Sequence, residues 1–257
     1  MLNSFESILL ISFCVSVTLG FLALLRFRWD PARRREHNDL IGWQFAVLGT
    51  TYAVIIGFML YTVWTNYQVA TVNSQQEAVA LVNVVHFAEG LPAESRDTVQ
   101  KFAREYARTM LDKEWPAMQE GALSAESSAI MQQLWTVSLR VKTETPSEAT
   151  ALSLTLNELG TMSEYRRVRQ LQSESKLPGV LWAILIIGGI LTVTSSCLFG
   201  TKNFKLHAVQ VLSLSLLISL SLAAIADIDQ PYRGSVHISP TGFQLALTTF
   251  DQMNAPK

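Results

Sequence analysis

Cysteine, histidine and charge are all scarce in this chain of 257 residues. Its two cysteines, Cys14 and Cys197, fall inside long apolar runs. Neither suggests a disulfide framework or a metal site, and buried thiols of this kind behave as small hydrophobes. The four histidines, His37, His86, His207 and His237, match no metal-ligand spacing. A phosphate-binding glycine loop, a nucleophile elbow and a zinc-protease helix are all missing. The sequence therefore offers no positive evidence for an enzyme and calls for no cofactor. A net charge of −1 also argues against a nucleic-acid partner, which would need a basic patch on a basic domain.

Charged residues make up 16% of the chain, against about 25% in average soluble domains. The deficit is local. It lies in four uncharged segments, 7–25, 40–76, 177–201 and 206–226. About 20 apolar helical residues cross a bilayer core, so each is long enough to span. The first could be mistaken for a cleaved signal. However, no Lys or Arg precedes Arg26 and the run ends in Leu24 and Leu25, so it reads as a retained anchor.

The second segment is longer than one crossing. Residues 41–64 are apolar enough for lipid, and 65–76 are polar but uncharged with helix-compatible spacing. A single helix that leaves the membrane and continues into water is expected. Within it, Gly49, Ala53 and Gly57 recur every four residues and share a face. Small residues at this spacing let helices approach closely in lipid. Packing within one subunit is the plainer use of the stripe, and a subunit contact or a pore-facing surface is the functional one.

Between the spans the chain changes character. Charged, helix-period segments fill 65–177, and nothing alternates with period two. Val99, Phe102, Ala103, Tyr106 and Met110 form the cleanest amphipathic stripe. Pro116 is expected to end that helix, because proline disfavours helix in the residue before it. Two more helices follow, over about 126–142 and from Pro146 to the basic group Arg166, Arg167 and Arg169. The expected fold is all-α: four transmembrane helices, with a helical-bundle soluble domain between the second and third. The domains read as a first hairpin over 1–64 (spans 5–25 and 41–64), the soluble domain over 65–177, and a second hairpin over 178–226 (spans 179–199 and 206–226). A membrane-edge turn and short helix fill 227–257.

Gly188 and Gly189 mark a close approach or kink in the third span. In the fourth, Ser215 and Ser219 share a face. Serine hydroxyls in lipid usually bond back to the preceding turn or across to a neighbour; a polar pore stripe is the rival use. Asp227, Asp229 and Arg233 lie at the membrane edge, where charged groups are often functional. Two carboxylates are too few for a closed calcium site, so pairing with Arg233 or with the basic group is expected.

Four spans put the two short loops on one side. The loop 26–39 carries Arg26, Arg28, Arg33, Arg34 and Arg35 against Asp30, Glu36 and Asp39, and the turn 201–205 carries Lys202 and Lys205. Short basic loops stay cytoplasmic. The chain then reads as a multi-pass protein of the cell membrane, with the arginine loop inside and the helical domain and both termini outside.

Tyr52-Ala53-Val54, Trp64, Glu77-Ala78, Tyr106 and Glu114-Trp115-Pro116 fall in a characteristic order. Arg166 and Arg169 ahead of Leu177-Pro178 and Trp182, then Asp229-x-Pro231-x-x-Gly234, complete it. In order and spacing these resemble the bestrophin-like family of bacterial multi-pass proteins, over about residues 39–250. The resemblance implies a distant relation to bestrophins, which are pentameric anion channels of helical subunits. It implies a homo-oligomer, a pentamer, with inorganic anions as partners besides the lipid bilayer. Bestrophins keep their helical domain and termini in the cytosol, the reverse of what the arginine loop implies here. No bestrophin pore residue is carried over onto this chain. The function expected is a homo-oligomeric anion channel, lined by Gly49, Ala53 and Gly57 and by Ser215 and Ser219. Arg166 and Arg169 would attract anions at the mouth. The alternative is a membrane-anchored sensor or scaffold whose helical domain binds a ligand or partner protein.

Overall fold

The computed structural model describes residues 4–253, without the side chains of residues 4–7 and 10. Every regular element among the described residues is helical. Four helices are long and apolar enough to cross a membrane. The chain divides into two compact units.

The first unit takes in residues up to 66 and residues 176–229. It holds α1 (Ser4–Arg28), the one-turn α2 (Pro31–Arg35), the first half of α3 (Asn38–Ala88), α8 (Gly179–Cys197) and α9 (Phe204–Ile228). Leu22, Cys197 and Val211 pack together at one end, and Val63, Leu185 and Ile225 at the other. The glycine pair Gly188-Gly189 is a close approach. A Cβ on Gly188 would lie 2.7 Å from the Tyr52 ring, and one on Gly189 would lie 2.8 Å from the Tyr52 hydroxyl. That hydroxyl donates to the Leu185 carbonyl at 2.8 Å. The glycines thus seat a tyrosine of α3 against the backbone of α8, where an added side chain would clash.

The two short loops meet at one end of this unit. Asn38 and Gly200 exchange two hydrogen bonds, at 3.0 and 2.9 Å. Arg34, 2% exposed, donates to the Cys197 carbonyl at 3.1 Å. A cation there satisfies an orphan carbonyl and complements the negative end of the α8 dipole. The connection between α8 and α9 is short because it joins neighbouring antiparallel spans.

The second unit covers residues 67–175 and 230 onward. It contains the second half of α3, then α4 (Ala93–Thr109), a π-turn (Met110–Glu114), α5 (Trp115–Glu120), α6 (Ala125–Leu139), α7 (Pro146–Glu174) and α10 (Thr241–Met253). One apolar core joins them, with Leu81, Val84, Val99, Tyr106, Leu134, Leu159 and Phe243 at its centre. Thr145 and Glu148 form a capping box at the start of α7, satisfying two orphan donors.

Two expected helix ends differ. The helix carrying Tyr106 does not stop before Pro116. One wide turn over Met110–Glu114 lets the Trp115 N–H bond to the Met110 carbonyl. Pro116 then sits in the first turn of α5, where an N–H is not needed. The helix ends at Gly121, whose φ of 89° places it in the left-handed region. A side chain on Gly121 would also collide with the Arg233 guanidinium. The helix that carries the basic group, α7, continues past Arg166, Arg167 and Arg169 to Glu174. Those arginines therefore lie within the helix rather than at its end.

Candidate functional site

Three features concentrate the chemistry of the chain. The first is a buried ion cluster in the second unit. Glu77 on α3 shares a face with Ala70, Leu81, Val84 and Ala88, all buried. Arg169 follows Leu159 and Met162 on the inward stripe of α7, and Glu114 follows Tyr106 and Met110. Each ion therefore points where its helix points its apolar residues. All three are 0% exposed. Arg169 Nε donates to Glu77 Oε2 at 2.6 Å and Nη2 to Oε1 at 3.3 Å. Its Nη1 donates to Glu114 Oε1 at 3.1 Å. The Tyr106 hydroxyl donates to Glu77 Oε1 at 2.6 Å. Glu114 Oε2 accepts the Ser124 N–H at 2.8 Å and the Ser127 hydroxyl at 2.9 Å. The Trp115 ring lies 5.6 Å from the guanidinium carbon, a cation–π distance.

This arrangement determines the electrostatics. Burial alone would lower the Arg169 pKa, but the Glu77 charge and hydrogen bond and the Glu114 charge outweigh it and raise it. Burial and then the Glu77 charge push the Tyr106 phenol well above its ordinary range. Arg169 stays a cation and Tyr106 stays a donor. With two carboxylates upon it, Arg169 has no free charge to offer an anion in solution. Arg166, half-buried, donates to the Ser127 and Ser128 hydroxyls at 3.2 and 2.7 Å.

The second feature is the open side of α3 in the first unit. Gly49 and Gly57 have nothing within 4 Å of where a Cβ would lie, and Ala53 is exposed. Val54, Phe58 and Tyr61 are also exposed. Among the described residues, the small stripe does not serve packing within one subunit.

The third is an open cleft of about 780 Å³ between α1, α8 and α9. Its lining is apolar apart from Thr18, Thr194, Ser215 and Ser219. Ser215 is buried and hydrogen-bonded to Thr18 at 3.2 Å. The Thr18 hydroxyl also bonds back to the Cys14 carbonyl at 2.8 Å. Ser215 is thus paired across helices, and Ser219 lines the same cleft.

At the membrane edge, Asp229 accepts the Leu177 N–H at 2.9 and 3.2 Å. Burial raises its pKa, opposed by the Leu177 and Trp182 hydrogen bonds. Asp227 is half-buried. Arg233 donates to the Met118 carbonyl at 3.2 Å and to Gln230 at 3.4 Å. No group of metal-holding side chains occurs among the described residues. The ion cluster itself was missed by periodicity alone. Its signal was a charged residue in phase with an apolar stripe, repeated on three helices.

These features define a multi-pass helical membrane protein with a charge cluster sealed in its non-spanning unit. A profile of the Bestrophin-like domain matches residues 12–243, and the chain belongs to the Bestrophin-like family. Among solved structures it is similar to a single-substitution variant of a bacterial bestrophin homologue from Klebsiella pneumoniae. There the TM-score is 0.72 at 12% identity, over 96% of this chain and 99% of that one. Another variant of that homologue gives 0.71 at 12% identity, over 95% and 98%. At this identity the likeness establishes the bestrophin fold. No curated protein sequence matches the chain.

Proposed function

We propose that this protein is a homo-oligomeric ion channel of the cell membrane, selective for anions such as chloride, with α3 lining the pore. The observation that carries the reading is the uncovered α3 face. A spanning helix without charge from residue 40 to residue 76 turns Gly49, Ala53 and Gly57 away from the rest of its own chain. Small residues suit either a close helix contact with a second copy or an open conduit. Family membership favours a ring of copies, a pentamer by resemblance, in which that face looks inward. The arginine loop lies in the cytoplasm in this reading, with the helical unit and termini outside.

The test is electrical. Purified protein in planar bilayers under a chloride gradient should show a reversal potential near the chloride equilibrium value. A reversal at the cation value overturns anion selectivity. Silence across voltage, pH and calcium moves the weight to a membrane-anchored sensor or scaffold.

A further inference from the structure

The basic end of the first unit carries more than an orientation signal. We infer that it is a binding site for the phosphate headgroup of an anionic phospholipid. The structure gathers two sequence-distant sources of positive charge. Arg34 donates to the Cys197 carbonyl, and Asn38 pairs with Gly200. The turn holding Lys202 and Lys205 is thereby fixed beside the loop holding Arg33 and Arg35. All four of these side chains are exposed. The loop itself is built rather than slack, since Asp30 caps α2 by accepting the Ala32 N–H at 2.9 Å.

A second observation points to a ligand. Arg34 is 2% exposed, yet its Nε is buried without a hydrogen-bond partner. A guanidinium donor left unmatched away from water is unfavourable. A phosphate oxygen is the acceptor that guanidinium geometry matches best. Exposed aromatic residues flank the same end: Phe27 is 88% exposed and Trp29 41%. Aromatic side chains settle at headgroup level. Guanidinium, ammonium and interfacial aromatic groups together fit a lipid headgroup, and juxtamembrane basic clusters attract anionic lipid.

The test uses the full-length protein in neutral detergent, with thermal unfolding read after adding phosphatidylglycerol, phosphatidylcholine or inorganic phosphate. Phosphatidylglycerol should raise Tm by about 3 °C or more, by mass action on the folded state. Phosphatidylcholine and inorganic phosphate should not. The triple variant Arg33→Gln/Arg35→Gln/Lys202→Gln, at three exposed positions, should keep the Tm measured without lipid and lose most of the rise. Arg34→Gln should lose it as well. Equal stabilisation by both lipids overturns the proposal, as does stabilisation by inorganic phosphate alone or a full response in the triple variant. The readout does not depend on ion conduction.

Discussion

Glu77 and Arg169 lie 92 positions apart and meet as a two-point ion pair in the interior of the helical unit, 2.6 Å at the closer contact. Glu114 closes the other side of the same guanidinium. Replacing Arg169 would leave two carboxylates sealed from water, and breaking a buried pair from one side typically costs about 3–5 kcal/mol. Arg169→Gln should therefore appear first as loss of folded protein. The check is thermal unfolding and monodispersity in detergent. A normally stable variant with altered anion selectivity would instead restore Arg169 to a role at the pore mouth.

Tyr106 and Tyr232 should titrate late. Burial raises both phenols, with the Glu77 charge adding to it at Tyr106 and the Arg169 charge opposing it at Tyr232. A tyrosine whose folded pKa exceeds its unfolded value of about 10 favours the folded state fully below that value and loses its contribution as pH rises above it. Ultraviolet titration should show Tyr106 and Tyr232 among the tyrosines that resist ionisation past pH 10. Stability should fall across the same range.

Gly188→Ala and Gly189→Ala should each destabilise the membrane unit by about 1–3 kcal/mol, because the new methyl meets the Tyr52 ring or hydroxyl. Tyr52→Phe removes only the Leu185 hydrogen bond, about 1 kcal/mol. A double-mutant cycle of Gly188→Ala with Tyr52→Ala should show strong coupling. Additive losses would refute the contact.

Gly49→Leu and Gly57→Leu should leave the protomer's fold intact, since nothing in the chain lies within 4 Å of either added Cβ. What should change is assembly or conductance, read by light scattering and by current in the same bilayers. A variant that unfolds as a monomer would contradict the open face.

The sidedness assigned to the arginine loop has a simple readout. A phosphatase reporter fused after Lys257 is active only outside the cytoplasm. Activity is expected, and an inactive, stably expressed fusion would reverse the orientation.

Much of the fold was legible because apolar periodicity is a local property. Val99, Ala103 and Tyr106 announced α4, with Met110 of the π-turn continuing the stripe, and all are buried. The uncharged run from 40 to 76 announced a helix continuing past the membrane, and α3 runs unbroken over Asn38–Ala88. The π-turn was not legible. Whether a helix ends before Pro116 or widens by one residue depends on the Glu114 and Trp115 side chains reaching partners elsewhere. The ion cluster was hidden for a related reason. Periodicity assigns charge to the solvent side, and only tertiary structure shows three opposing charges arriving at one point. The residues behind the family resemblance, Glu77, Tyr106, Glu114, Trp115 and Arg169, prove to be that cluster.

The cluster also affects how the helical unit can assemble. Its ions come from α3, the π-turn and α7, and dehydrating any one before the others arrive costs several kcal/mol. Half-built forms in which two of these helices pack without the third are therefore disfavoured on both sides. The unit should therefore close as a single cooperative step that waits for α7, which carries the cluster's cation.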